Sequence, residues 1–208
     1  MIVNFTNNHQ YQSLLTIPGS SSTIELTIET KLLGYWLTAD MKPSKHVSHI
    51  LEIAYKRLWA ISRLKSAGVK EDDILYFFNM KIRSVLEYCE PIFTSMLTVE
   101  NIYDIECVQK IALRVILNDR YENYYQACSA MKTKSLQSRQ TELSLKFAIS
   151  CLKNDRHRHL FKQRKSLYYT LRKLKSFELP LCHTERFKSS PLPFLTVLLN
   201  DHFANKVM

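Results

Sequence analysis

The chain has 208 residues, 46% of them hydrophobic and 23% charged, which is the balance of a globular protein with a core and excludes a disordered segment. Only 3 glycines are present where average usage would place roughly fifteen, so glycine-rich phosphate-cradling loops are excluded and long helices are expected. The formal net charge is +10, and its distribution matters more than its sum: residues 1–131 hold 13 Lys and Arg against 14 Asp and Glu, whereas residues 132–208 hold 16 against 5. A one-sided basic segment suits a polyanionic partner, nucleic acid before an anionic membrane surface.

In residues 1–38 the pattern has period two. Ile24, Leu26 and Ile28 alternate with polar residues, and 31–38 (KLLGYWLT) is rich in strand-forming types. Pro18-Gly19 and the serines after it carry turn chemistry. Two or three strands are expected, too few to stand alone in water.

From Pro43 the period becomes helical. Val47, Ile50, Leu51, Ala54, Leu58, Ile61 and Leu64 form one apolar face. With Ser44 as N-cap and Gly68 as the terminating glycine, this predicts a helix over about 44–67. Its other faces carry Lys45, Lys56, Arg57, Arg63 and Lys65. A second helix over about 71–88 buries Ile74, Phe77, Phe78, Ile82, Val85 and Leu86, with Pro91 ending or kinking it. Thr98 caps a third, facing Ile102, Ile105, Val108, Ala112, Val115 and Ile116 inward. A short helix near 123–131 and a longer one near 135–153, built on Leu136, Leu143, Phe147 and Leu152, follow. Beyond Asn154, residues 156–178 interleave basic and aromatic types, prolines at 180, 191 and 193 break regularity, and a last helix fits about 192–200.

Residues with catalytic or ligating chemistry are present but not in the required spacings. The acidic run Glu71-Asp72-Asp73 falls at a helix start, where carboxylates complement the dipole and the free N–H groups. Cys89, Cys107, Cys128, Cys151 and Cys182 are scattered and odd in number, as are His157, His159 and His183 near the end. This is free-thiol chemistry of a reducing interior, and neither a zinc site nor a disulfide framework. His183-Thr184-Glu185 lacks the scaffold of an iron oxygenase. No metal and no cofactor are expected, and an intracellular location, nucleus or cytoplasm, follows from the thiols and from the lack of a secretory start. No apolar run is long enough for a bilayer crossing. In the tail, Tyr168, Tyr169 and Phe177 lie among cations, as in single-strand binders that use charge for phosphates and flat rings for bases. The same stretch also reads as an amphipathic helix packing Leu167, Leu171 and Leu174 inward.

Five segments in order, 31–41 (KLLGYWLTADM), 54–68 (AYKRLWAISRLKSAG), 81–93 (KIRSVLEYCEPIF), 104–117 (DIECVQKIALRVIL) and 143–154 (LSLKFAISCLKN), resemble the downstream half of reverse transcriptases from non-LTR retrotransposons of the jockey and CR1-like kind. Residues 182–200 also look like the short C-terminal stretch of some members. The resemblance implies that Leu33-Gly34, with Tyr35 and Trp36 after it, is the primer-grip turn. It implies further that the helices after it are the thumb that closes on a primer–template duplex in target-primed reverse transcription. The family's catalytic Y-x-D-D hairpin and first palm aspartate lie upstream of anything matched here, so a non-catalytic palm end, thumb and extension is expected, with Met1 falling inside the palm. Lys42-Pro43, Glu52, Glu90 and Cys107 depart from the family's usual residues.

The expected architecture is therefore mainly α, a multi-helix thumb-like bundle with a small N-terminal β element. Residues 1–42 are the palm remnant, 43–153 the helical domain and 154–208 a basic extension. Nucleic acid, duplex or single strand, bound without sequence preference, is the expected partner, together with the upstream palm and fingers of the same polymerase. No membrane and no small-molecule substrate are expected. The phosphate contacts fall to Lys56, Arg57, Arg63 and Lys65 by the resemblance, and to Arg156, Arg158, Lys162, Arg164, Lys165, Arg172, Lys173 and Lys175 by charge. The alternative is a helical protein-interaction module with no nucleic-acid role.

Overall fold

The computed structural model describes residues 2–3, 15–16, 23–24, 26–164 and 176–204. Its architecture is mainly helical with a small antiparallel hairpin near the N-terminus, as the change of period from two to 3.6 implies. Before the hairpin lie two-residue strands: β1 (Ile2–Val3) runs parallel to β4 (Leu26–Thr27), and β2 (Leu15–Thr16) antiparallel to β3 (Thr23–Ile24). The hairpin itself is β5 (Glu29–Leu32) paired with β6 (Tyr35–Thr38), in the register Lys31 to Trp36 and Leu32 to Tyr35. Leu33 and Gly34 join them at φ of 48° and 88°, the doubly positive turn whose twist matches that of two paired strands.

α1 (Ser44–Ser66) buries Val47, Ile50, Ala54, Leu58 and Ile61 along one stripe. It ends as its sequence predicts. Gly68 sits at φ +74°, its N–H donates to Lys65, and the N–H of Val69 reaches the Leu64 carbonyl at 3.1 Å, closing the last carbonyls in a Schellman pattern. The start differs: Ser44 is already helical and Pro43 is the residue before it, with no side-chain cap. The first intrahelical bond instead runs from Val47 N–H to the Pro43 carbonyl, at 2.8 Å.

The run from 71 to 86 is α2 (Glu71–Phe78), a π turn over Asn79–Arg83, and α3 (Ser84–Leu86). Ile74, Phe78, Ile82 and Leu86 are all fully buried although each is four residues from the last. A regular helix would rotate that series by about 40° per step, and the wider turn in the middle takes up the drift. Helical geometry stops at Leu86, not at Pro91, which lies in the first turn of the next short helix, α4 (Glu90–Phe93), after Cys89 at φ +59°.

Thr98 accepts a bond from Asn101 N–H and caps α5 (Val99–Leu117), which packs on α1. α6 (Tyr124–Ala130) is capped by Asn123, and α7 (Leu136–Lys153) by Ser135. The buried line of α7 is Leu136, Gln140, Ser144, Ala148 and Cys151, while Phe147, expected inside, is 46% exposed. The reason is Glu90, wholly buried on α4, whose Oε1 accepts bonds from Thr94 and Ser144 at 2.8 Å each. A buried carboxyl demands polar partners, so the small polar face of α7 turns inward.

A first core joins Tyr35 of the hairpin to α1, α2, α5, α6 and Leu136. A second is made by Ala148, Cys151, Phe161, Phe177, Leu195 and Leu199. It unites the end of α7, which the short α8 (Asp155–Arg158) continues, through Phe161 and Phe177 with α10 (Pro191–Ala204), which follows the four-residue α9 (Glu185–Lys188). α10 is longer than the 192–200 expected. Asn200 on it holds Phe177 by both backbone groups, at 2.8 and 3.1 Å. Packing therefore crosses both expected boundaries, at 42 and at 153.

Candidate nucleic-acid interface

The hairpin turn is clamped from behind. The Tyr88 hydroxyl donates to the Leu33 carbonyl, and a Cβ on Gly34 would stand 3.1 Å from the Tyr88 ring. Glycine is favoured there by φ, and any Cβ would also press on the Tyr88 ring. Leu33 projects outward, 85% exposed, in a left-handed conformation that costs a branched residue about 1–2 kcal/mol. Tyr35 points the other way, its ring 4.4 Å from that of His46 and 6.5 Å from Phe93.

Trp36 is flanked by cations. Lys31, its partner across the strands, lies with Nζ 5.8 Å from the ring centroid, and Lys45 with Nζ at 5.2 Å. His49 meets the same ring edge-on at 6.0 Å and stands 3.4 Å from Lys31 Nζ. Lys45 is also 3.3 Å from Glu29.

From this cluster a stripe continues along the outer face of α1. Lys45, His49, Glu52, Lys56, Trp59 and Arg63 follow alternate steps of four and three, which keeps them on one face for about 27 Å. Trp59 is 65% exposed with the Arg63 guanidinium 4.9 Å over its ring. Glu52 interrupts the positive line, and Lys56 at 2.5 Å holds its carboxyl below the ordinary range.

The four α1 cations named from sequence are thus divided. Lys56 and Arg63 lie on the stripe. Arg57 sits to its side, donating to the Lys81 carbonyl. Lys65 turns inward and donates to the Ile116 carbonyl at 2.6 Å and to Glu71 at 3.1 Å, so it ties α1 to α2 and α5. Lys31 and His49 were not named from the sequence, and Lys45 was placed on the outer faces of the helix but not among the phosphate contacts. Their signal was readable: with Leu33-Gly34 as a two-residue turn, Lys31 must face Trp36, and 45 and 49 share a helix face with 56.

In the tail, Arg158 donates to the Leu152 carbonyl at 3.2 Å, while Arg156, Lys162 and Arg164 are exposed. Arg164 N–H bonds the Ser176 carbonyl at 3.0 Å and Glu178 N–H the Lys162 carbonyl at 2.9 Å, so residues 162–164 pair with 176–178. Lys165, Arg172, Lys173 and Lys175, with Tyr168, Tyr169 and the three leucines at 167, 171 and 174, lie outside the described residues. Of the acidic run, which forms the first turn of α2, Glu71 pairs with Arg120 and Lys65, chiefly the Arg120 bond holding its carboxyl below the usual range, while Asp72 and Asp73 are exposed. Thr184 caps α9, accepting from Phe187 N–H.

No helix among the described residues is long and apolar enough to cross a membrane. Comparison with protein-family models, with curated proteins and with solved structures finds no match to this chain.

Proposed function

We propose that this chain is a thumb-like nucleic-acid grip of the non-LTR reverse-transcriptase kind, closing on a primer–template duplex through charge and shape and carrying no polymerase chemistry of its own. The observation that supports it best is the continuity of the Leu33-Gly34 turn, the Trp36 cluster and the α1 stripe, which lines up Lys31, Lys45, Lys56 and Arg63 with two indoles. Cations along such a line neutralise successive phosphates, and the indoles add stacking surface without reading sequence. The five resembling segments keep their order along the chain, and the first of them contains the clamped turn. No Y-x-D-D segment stands among the 208 residues, and two-metal phosphoryl transfer needs carboxylates to hold its ions. The purified protein is expected to extend no primer with magnesium or manganese.

A salt titration of duplex binding tests the reading. Replacing Lys45, Lys56 and Arg63 by Ala together should lower the slope of log K against log salt by about 2–3, near 0.9 per lost phosphate contact. An unchanged slope with unchanged affinity sinks the stripe. The rival, a helical interaction module, draws on Lys65 and Arg57, which are spent on carbonyl oxygens of the fold itself. It predicts no duplex binding above that of other basic proteins.

A further inference from the structure

A second site is assembled by α5, α6 and the start of α7, from none of the residues of the α1 stripe. These helices enclose a groove of about 480 Å³, within the size range of ligand sites. Tyr103 of α5 and Tyr124 of α6 present ring faces to one ammonium group: Lys110 Nζ lies 4.9 Å from the Tyr103 centroid and 5.5 Å from that of Tyr124. Tyr125 adds a third ring, 5.8 Å from Tyr124. Tyr103 and Tyr125 are 60% and 79% exposed.

The inner wall is rigid. Tyr124 donates its hydroxyl to Glu106 and accepts from Gln109 Nε2 at 3.0 Å. Burial first and the Glu106 carboxylate second push that hydroxyl far above the ordinary phenol range, so it stays neutral. Glu106 is itself fixed, accepting the N–H groups of Leu136 and Gln137 at 3.1 Å each at the start of α7. Lys110 forms no ion pair among the described residues. What receives its ammonium is the pair of rings. Of the residues lining the groove Glu106 is the one acid and Lys110 the one base, so removing Lys110 from it would leave a wall of net negative charge.

Two aromatic faces on one ammonium, with a third ring beside them and a carboxylate lining the same groove, are chemistry that suits a quaternary ammonium. Lysine's own ammonium is strongly hydrated and surrenders more water to reach the rings than an alkylated one does. A methylated ammonium therefore gains more from the same cage than Lys110 and displaces it. The groove is larger than one such head group, and Val99 and Ile102 beside the rings offer apolar surface for the stem of a side chain. We propose that this groove is a cation cage for a trimethyl-lysine side chain on a partner peptide, kept occupied by Lys110 until that partner arrives.

The site does not depend on the nucleic-acid reading, and stripe variants and cage variants separate the two. The test is an NMR titration of the tyrosine ring resonances of the whole chain with a short basic peptide carrying trimethyl-lysine, with the same peptide unmodified, and with tetramethylammonium. The two peptides bear equal charge, so a difference between them isolates the rings. Saturable shifts of Tyr103 and Tyr125 are expected with the trimethylated peptide, at least fivefold weaker with the unmodified one, the scale of one cation–π contact. K110A, which empties the cage, should tighten binding several-fold. Y103A and Y125A, both at exposed positions, should weaken it without unfolding the chain. Equal response to the two peptides, or affinity unchanged in K110A, overturns the cage. Tetramethylammonium binding as tightly as the trimethylated peptide overturns the peptide as its occupant.

Discussion

His46, which packs on Phe93 of α4, and Glu90, the first residue of α4, are both wholly enclosed, yet the two junctions treat their ionisable group oppositely. At the hairpin–α1 junction, His46 is packed between the rings of Tyr35 and Phe93, and neither ring nitrogen has a hydrogen-bond partner in the structure. At the α4–α7 junction, Glu90 has two hydroxyl donors on one oxygen and none on the other. Burial lowers the imidazole's pKa and raises the carboxyl's, in each case because the charged form loses water. The hairpin side is thus an aromatic contact that tolerates a neutral histidine, whereas the α7 side is a polar contact built around its carboxyl. The first should resist removal of the polar group and the second should not.

The largest expected effect is on the α7 side. E90A leaves the Thr94 and Ser144 hydroxyls without their acceptor and opens a cavity, and should cost about 2–4 kcal/mol in urea unfolding. E90Q keeps an acceptor for both. Glu90's folded pKa is raised, so its contribution is present below the ordinary carboxylate value and is lost as pH rises above it. E90Q should flatten that loss on the alkaline side. If E90A is as stable as the native chain, the polar junction contributes nothing and the contrast collapses.

Smaller is the effect of G34A, which places a Cβ at φ +88° and 3.1 Å from the Tyr88 ring. A penalty of about 1–2 kcal/mol is expected for a left-handed residue. It should appear as faster amide exchange confined to β5, β6 and the first turn of α1. Exchange rising equally in α7 would mean that the two junctions are one cooperative unit.

His46 itself should show the least. H46L removes two buried nitrogens without partners and should stabilise by about 1 kcal/mol. Its folded pKa is lowered, so stability is present above the ordinary imidazole value near 6.5 and is lost as pH falls through it towards the depressed one. Lys31 on β5 and His49 on α1 itself add to the cost of charging it, while the approach of the Tyr88 backbone, short of a full hydrogen bond, opposes that cost. Thermal melts between pH 5 and 8 should therefore lose part of their acid limb in H46L. A native-like acid limb in that variant would assign the pH response to other groups.

Much of the molecule was legible from local pattern. The helices from 44 to 153, the Thr98 cap and the Gly68 terminus each depend on residues within a few positions of one another, whereas the Leu33-Gly34 turn was expected only by the family resemblance. Periodicity and capping report such short-range rules directly. What the sequence could not state was which cations face outward and which turn into the fold. Lys56 and Lys65 look alike on a helical wheel's polar rim, but Ile116, 51 residues on, supplies the carbonyl that turns Lys65 inward. In the same way Ser144 displaces Phe147 from the core because Glu90, 54 residues away, needs its hydroxyl. Tyr103, Tyr124 and Lys110 meet only when α5 and α6 fold back on each other. A chain's own periodicity records how much of each face is apolar. Which polar atoms face one another is decided by long-range packing, since burial of a charge is tolerated only where distant partners satisfy it.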